Sequence, residues 1–439
     1  MTLFSNTDKE ILHIALPSIV ANITVPLLGL IDVAITGHLG NAAYIAAIAV
    51  GSMIFNVIYW VFGFLRMGTS GMTAQAFGRG DTDECVRLLS RGLCVGLGVA
   101  VAALVAQRPL LGLAMAVIGV EEGLRPLVET YFSICVWGAP AMLCLYAFTG
   151  WFIGMQNTRV TMAVSIVQNI VNIVASLTLV YGFGMTIDGV ATGTLIAQWS
   201  GCLMAAAVVV AAHRKSLRRL KARAVFRGEA LMRFFGVNRD IFIRTLFLVA
   251  VNLFFVSAGA KQGTVVLAVN TLLMQLFTLF SYVMDGFAYA GEALCGKQTG
   301  GADRAAFRST VSRLFAWGAA LAAAYTAVYS LGGTPFLSLL TDDGAVLAAS
   351  APYLPWAVAI PVAGAAAFIW DGVFIGTTDT RGMLLSSVIS AILFFAVYLI
   401  FFPVLHNHGL WLAFILYLAS RGVVQTAIFC RKNKRATPC

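Results

Sequence analysis

The stretch ILHIALPSIVANITVPLLGLIDVAITG, residues 11–37, decides the fold class of this chain. It is long enough to cross a bilayer, which takes roughly 20 consecutive apolar residues. It also holds one acid, Asp32, and a charged side chain at the centre of a membrane helix costs about 2.5–3.5 kcal/mol on insertion scales. Such a residue is tolerated where it is paired, protonated or functional. The stretch therefore predicts a membrane helix with a chemically active carboxyl.

Pro26 lies six residues before Asp32 in the same predicted helix. Proline has no amide hydrogen, so the backbone bond to the carbonyl of Asn22 is missing and the helix can bend there. A bend beside a titratable group is typical of a moving part driven by protons. We therefore interpret Asp32 as the proton-binding residue and Pro26 as the hinge.

The composition places the whole chain in the membrane. Of the 439 residues, 60% are hydrophobic and only 11% are charged, against about 25% charged in soluble domains. The net charge of +10 does not indicate nucleic-acid binding, because the basic residues lie in short loops between apolar segments. The eight cysteines form no CxxC pair and are expected as buried thiols. The sequence has no P-loop, GxSxG or HExxH motif, and the His-x-His spacing of His406 and His408 is expected to face water rather than bind a metal.

Twelve apolar segments predict an all-α polytopic membrane protein. If the N-terminus is cytoplasmic, 23 of the 29 Lys and Arg residues fall in inner loops and 3 in outer loops. This positive-inside bias predicts that both termini are cytoplasmic. The approximate segments are 10–36, 44–72, 88–107, 127–152, 160–182, 188–212, 238–259, 264–291, 309–331, 350–375, 382–404 and 408–430.

The two halves of the chain repeat each other at one constant offset. The string FIGMQNTR at 152–159 returns as FIGTTDTR at 374–381, and Gly78 and Asp81 return at the same offset as Gly300 and Asp303. Each half has six helices, so the repeats are parallel and pseudo-symmetric about the membrane normal. We predict an N-terminal lobe at 1–212, a basic cytoplasmic linker at 213–237 and a C-terminal lobe at 238–439. Paired bundles of this kind are typical of alternating-access transporters.

Polar side chains in the first half could share the neighbourhood of Asp32. Spacings of three and four residues place one row on a single face of the fifth segment. Neutral amides and hydroxyls with no nearby cation would let a buried carboxyl gain and lose a proton. The alternative is interhelical polar packing alone. The predicted set is Tyr146, Asn169, Asn172, Ser176 and Gln198.

The second half carries embedded charges of its own. Asp285 lies on the eighth segment, seven residues before Glu292, and Asp371 lies on the tenth segment. Asp285 and Asp371 could form a cation site, or pair with Arg244 as a structural ion pair. Both interpretations stay open from the sequence. Arg66, in the second segment, is expected to be structural.

Three strings show a resemblance to a known family. They are LPSIVANITVPLLGLIDVAITGHLG at 16–40, FLRMGTSGMTAQAFGRGD at 64–81 and MDGFAYAGEALCGKQTGG at 284–301. Together with the repeated FIG strings, they resemble the multidrug and toxic compound extrusion (MATE) family, and most closely its DNA-damage-inducible F (DinF) branch. The resemblance covers essentially the whole chain.

The resemblance implies two six-helix lobes arranged as a V, of the type found in the wider MOP superfamily. It implies export of organic cations or other amphipathic compounds in exchange for H+ or Na+. It also assigns Asp32 as the proton site, Pro26 as the bending point, and Tyr146, Asn169, Asn172 and Gln198 as its partners. Many relatives carry a second acid at the position of Ser176, so this chain favours a single-proton switch.

The sequence thus predicts an H+-coupled multidrug efflux antiporter, with no cofactor and no metal. It is expected as a monomer in a bacterial inner (cytoplasmic) membrane, with the lipid bilayer and small amphipathic or cationic molecules as its partners and no nucleic acid. Na+ coupling, a lipid-linked precursor flippase of the same superfamily, and a membrane scaffold or receptor remain alternatives.

Overall fold

The computed structural model describes residues 5–37 and 42–436, without side chains at 25–30, 33, 42, 222, 223, 334 and 433–436. Within those ranges the chain is almost entirely helical. Its α-helices are α1 (Asn6–Gly37), α2 (Ala42–Phe62), α3 (Phe64–Gly78), α4 (Thr82–Val105), α5 (Gln107–Ile118), α6 (Arg125–Cys135), α7 (Ala139–Gly154), α8 (Thr158–Leu177), α9 (Ile187–Arg218), α10 (Ala222–Val225), α11 (Gly228–Ala260), α12 (Thr264–Gly300), α13 (Arg304–Leu340), α14 (Gly344–Ser350), α15 (Leu354–Gly376), α16 (Thr380–Leu405) and α17 (Asn407–Ala436).

The prediction of an all-α polytopic membrane protein is confirmed. In the described part of the chain, 11 helical segments are long and apolar enough to cross a membrane. Three of these segments join two helices across a short break, α2 with α3, α6 with α7 and α14 with α15. The first predicted segment forms α1, a helix of 32 residues. The short apolar helix α5 was not among the predicted segments.

The internal repeat reappears in the helix ends. α3 ends at Gly78 and α12 at Gly300, while α7 ends at Gly154 and α15 at Gly376. The N-caps correspond as well, because Asp81 accepts from the amide of Glu84 as Asp303 does from that of Ala306. Side-chain capping satisfies an amide that the first turn leaves without a partner. Corresponding helices of the two halves therefore end at equivalent glycines and begin at equivalent aspartate caps.

Close helix packing in both halves depends on small residues. Gly150 on α7 lies against the backbone of α3, where an added Cβ would come within 2.2 Å of the carbonyl oxygen of Arg66. Gly372 on α15 lies against α12 in the same way, where an added Cβ would lie 2.2 Å from the carbonyl oxygen of Ala288. Membrane helices approach closely where such small residues meet. These contacts fix the helices that carry the candidate site residues.

The chain divides into two compact units. The N-unit is Leu16–Asn238, and the C-unit is Arg239–Cys439 together with the residues up to Ala15. The division differs from the predicted one in two respects, at the start of α1 and at the linker. The start of α1 belongs to the C-unit, because Asp8 accepts a hydrogen bond from Trp317 and lies 3.6 Å from Arg313.

The predicted linker, 213–237, does not form a separate connection. α9 continues through it to Arg218, α11 begins at Gly228, and the whole segment packs within the N-unit. Arg91 on α4 explains part of this packing, since it donates to the carbonyls of Ala224 and Val225 at 3.3 and 2.8 Å.

Candidate functional site

Asp32 is a buried carboxyl in the N-unit, with only 5% of its surface exposed. Its Oδ1 atom has no hydrogen-bond partner, and no Lys or Arg pairs with it, among the residues that the structure describes. Thr36, one turn later, donates to the backbone carbonyl of Asp32 at 2.7 Å. A charge buried without a partner is costly, so the surroundings favour the uncharged acid over the carboxylate.

Neutral side chains of α6 lie near this carboxyl, and side chains of α2 lie next to them. Tyr131 and Cys135 on α6 are within electrostatic reach of Asp32. The Tyr131 hydroxyl is 3.2 Å from the Oγ atom of Ser52 on α2. The hydroxyl of Tyr59, also on α2, is buried and has no hydrogen-bond partner in the described part of the chain. These groups can exchange hydrogen bonds with an acid in either charge state.

The predicted polar row on α8 is present but faces two different helices. Asn169 donates to the carbonyl of Thr24 on α1 at 2.9 Å, while Asn172 donates to Thr194 on α9 at 3.0 Å. Ser176 packs against Gly193 of α9, where an added Cβ would lie 2.2 Å from the serine Oγ.

No hydrogen bond in the described part of the chain joins this row to Asp32. Thr24 lies eight residues before Asp32, about 12 Å along the helix at 1.5 Å per residue. Asn169 therefore contacts α1 on the other side of Pro26 from the carboxyl. The side chain of Pro26 lies outside the described residues, and its backbone is part of α1.

Tyr146 and Gln198 lie at other edges of this polar region. Tyr146 on α7 is within electrostatic reach of Arg66 on α3 and of Tyr59 on α2. Gln198 on α9 packs its side-chain oxygen against Gly138, and this oxygen is buried without a hydrogen-bond partner in the described residues. Tyr146 therefore connects to the region around Asp32 only indirectly, through Tyr59 and then Cys135.

Asp371 is the centre of a buried charged cluster in the C-unit. Its Oδ2 atom accepts hydrogen bonds from Arg244 on α11 and from Arg421 on α17, the latter at 2.5 Å. Its Oδ1 atom accepts one from Gln425 on α17 at 2.7 Å. The exposed fractions are 3% for Arg244, 6% for Arg421 and 8% for Asp371. Two guanidinium groups thus share one carboxylate inside the unit.

Of the two interpretations that the sequence left open for Asp371, the structure contains the ion pair with Arg244. Arg421 adds a second cation, which was not among the predicted partners. A further cation at Asp371 would meet two fixed positive charges, so we do not propose cation binding by this carboxylate. Asp285 on α12 is within electrostatic reach of Arg421.

The sequence patterns did not single out several residues of these clusters, although their spacing could have indicated them. Tyr131 and Cys135 are four residues apart, which places them on one face of a helix. Arg421 and Gln425 have the same spacing, and an arginine near the middle of an apolar segment is itself unusual. Spacing alone does not say which helix such a face meets.

The apolar helices define the chain as a polytopic membrane protein. The MatE family model matches residues 17–178 and 241–400, one match in each half. The chain is 35% identical to the DNA damage-inducible protein F of Escherichia coli K12, over all of this chain and 95% of that protein. The chain belongs to the MatE family, whose members are transporters.

More distant similarities agree with this assignment. A probable multidrug resistance protein NorM of Rhizobium meliloti is 26% identical over 97% of this chain and 94% of its own length. The fold is similar to that of a solved structure described as the outward-facing conformation of a multidrug resistance MATE family transporter of the MOP superfamily. The TM-score is 0.88 at 17% identity, covering 99% of this chain and 98% of that one.

Proposed function

We propose that the chain is a secondary active multidrug efflux antiporter. It exports organic cations and amphipathic compounds by alternating access, in exchange for H+ that enters down its gradient. The names of the NorM relative and of the solved structure describe multidrug resistance, and family membership supports the same substrate class here. The proposed location is a bacterial inner membrane, with both termini cytoplasmic and the protein working as a monomer.

The observation that carries the H+ coupling is the contrast between two buried acids. Asp371 forms ion pairs with Arg244 and Arg421, so two buried positive charges compensate its carboxylate. Asp32 has no such counter-charge among the described residues. Of the two carboxyls, only Asp32 lies in surroundings where gaining or losing one proton removes or creates an uncompensated charge.

That charge change supplies the coupling. A proton and a substrate exchange for each other when they favour opposite states of the same two-state element. Protonated Asp32 is compatible with an apolar wall, whereas the carboxylate favours a state in which water or a cationic substrate reaches it. We infer that Tyr131 and Ser52 exchange hydrogen bonds with Asp32 as its charge changes, and that Pro26 lets α1 adjust.

The test is ion-driven flux of a fluorescent organic cation in liposomes that hold the purified full-length chain. A pH gradient, acidic on the side to which substrate is exported, should drive transport by the wild type. Asp32→Asn should abolish this transport while the protein still inserts and elutes as a single species. Asp342→Asn, which removes an exposed acid, should transport like the wild type. Proton-driven transport that survives in Asp32→Asn would refute the assignment.

The same liposomes separate H+ coupling from Na+ coupling. At fixed and equal pH on both sides, a Na+ gradient should drive no transport if Asp32 works as a single-proton switch. Transport driven by Na+ alone would instead support the sodium-coupled alternative and would require a cation site outside the Asp371 cluster.

A further inference from the structure

A cavity of about 290 Å³ opens in the N-unit at the basic end of its helices. It lies between the end of α3, the first turns of α4 and the start of α11. Its volume is close to the lower limit of small-molecule sites, about 300 Å³. The charged side chains that line it are Arg79, Arg91, Arg227, Arg233, Glu84 and Glu229, which leaves a formal excess of two positive charges.

The carboxylates of the lining are already engaged. Glu84 accepts from Arg91 at 2.6 Å, and its other oxygen accepts from Arg87 at 3.0 Å. Glu229 lies 3.7 Å from Arg227, and both side chains are mostly exposed, so water screens this pair. The other two guanidinium nitrogens of Arg91 donate to backbone carbonyls. Each guanidinium nitrogen of Arg91 is therefore already engaged within the protein, and its charge is compensated by Glu84.

Other guanidinium groups of the lining keep unused donors. Arg79 follows the last residue of α3, and its exposed side chain makes no hydrogen bond or ion pair with any described residue. Arg233 on α11 makes one side-chain hydrogen bond in the described part of the chain, to Gln75 at 3.3 Å. The excess positive charge therefore faces the cavity from two helices.

In the C-unit, the arginine at the corresponding position is paired with a carboxylate of the protein itself. At the offset that relates Gly78 to Gly300, Arg313 corresponds to Arg91, and Asp8 corresponds to Ala230. In the C-unit, the carboxylate of Asp8 lies 3.6 Å from Arg313 and accepts from Trp317 at 3.1 Å. In the N-unit, Glu84 pairs with Arg91 instead, and Ala230 lines the cavity without bringing a charge to it.

We propose that this cavity binds a phosphate group, carried either by an anionic phospholipid headgroup or by a soluble phosphate compound. Arg79, Arg227 and Arg233 are the binding residues. A guanidinium group binds phosphate through paired hydrogen bonds, and two excess positive charges match a phosphate dianion. The bound phosphate neutralises the excess positive charge that Arg79 and Arg233 bring to the cavity, and it joins the start of α11 to the end of α3.

The test measures thermal unfolding of the full-length chain in phosphatidylcholine nanodiscs, followed by tryptophan fluorescence. One arm titrates inorganic phosphate, and the other replaces part of the phosphatidylcholine with phosphatidylglycerol. Ligand that binds only the folded state raises the melting temperature. Arg79→Gln and Arg233→Gln should each weaken the apparent affinity about tenfold, the effect of losing one charge-assisted hydrogen bond. Arg219→Gln, an exposed arginine outside the lining, should respond like the wild type.

Ala230→Asp provides a second and opposite test, because it places in the N-unit the carboxylate that the C-unit already has. This variant should melt at a higher temperature than the wild type without added anion, and it should no longer respond to phosphate or phosphatidylglycerol. A response to inorganic phosphate alone identifies a soluble phosphate compound, and a response to phosphatidylglycerol identifies a lipid headgroup. The proposal is overturned if neither arm stabilises the wild type, or if Arg79→Gln responds as Arg219→Gln does.

Discussion

Asp371→Asn should strongly destabilise the C-unit. Asparagine keeps the size of the side chain and removes only its charge, so the change isolates the electrostatic role of the carboxylate. In the wild type this carboxylate accepts hydrogen bonds from Arg244, Arg421 and Gln425. Without it, two guanidinium groups with exposed fractions of 3% and 6% are left buried with no opposite charge at position 371.

The magnitude follows from the number of cations that depend on Asp371. Removing one partner of a buried ion pair costs about 3–5 kcal/mol, because the other charge stays buried without compensation. Two arginines lose their counter-ion here, so we expect a loss at the upper end, about 5 kcal/mol. Arg244→Gln should cost less, about 1.5–3 kcal/mol, since Asp371 retains its bonds from Arg421 and Gln425.

Thermal unfolding of the purified chain in detergent measures this difference. For a domain of about 150–250 residues, 1 kcal/mol shifts the melting temperature by roughly 2–4 °C, so Asp371→Asn should melt about 10–20 °C below the wild type. Asp342→Asn, at an exposed position, should melt with the wild type. If Asp371→Asn melts within a few degrees of both, the cluster does not hold the C-unit together and the reasoning fails.

Further predictions concern packing, the start of α1 and the hinge. Gly150→Ala and Gly372→Ala should each destabilise the protein by about 1–3 kcal/mol, because the added Cβ meets backbone atoms of the neighbouring helix. Gly98→Ala, where nothing lies within 4 Å, should leave the melting temperature unchanged, and equal effects at all three glycines would contradict this packing argument. Asp8→Asn should lower the melting temperature at neutral pH. Hydrogen bonds from Ser5 hold the pKa of Asp8 below its ordinary value of 3.8, so the contribution of its carboxylate is present above that pH. This contribution is lost as the pH falls through the lowered pKa, and a difference from the wild type that persists below it would speak against a carboxylate contact. Pro26→Ala should slow H+-driven transport if α1 bends there, and unchanged turnover would remove the hinge while leaving the proton site.

The helices could be predicted from the sequence because their causes are local. Apolar length locates each membrane segment, and an aspartate three residues before a free amide locates the start of α4 and of α13. The repeat also follows from identical strings at one offset. The boundary at Ala15 could not be predicted in this way. It depends on Asp8 meeting Trp317, a residue more than three hundred positions later in the chain.

The partners of the buried acids could not be predicted for the same reason. Helical spacing shows that Asn169 and Asn172 lie on one side of α8, but not that one of them meets α1 and the other α9. The pairing of Asp371 with Arg421 joins two helices that are separated by the whole of α16. Such contacts are set by the packing of the entire unit. The sequence patterns therefore indicated which residues belong to the candidate site, but not which residues contact each other.

The two halves kept the features that build helices and diverged in their buried charges. At the offset of the repeat, Asp32 corresponds to Phe254 and Asp371 to Thr149, so neither acid has an equivalent in the other half. Gly150 and Gly372, by contrast, keep the same close contact in both units. A repeat that preserves its packing while placing a fixed charge cluster in one unit and an uncompensated acid in the other can assign different tasks to the two units. Under the proposed function, proton coupling belongs to the N-unit, and the charge cluster of the C-unit contributes stability.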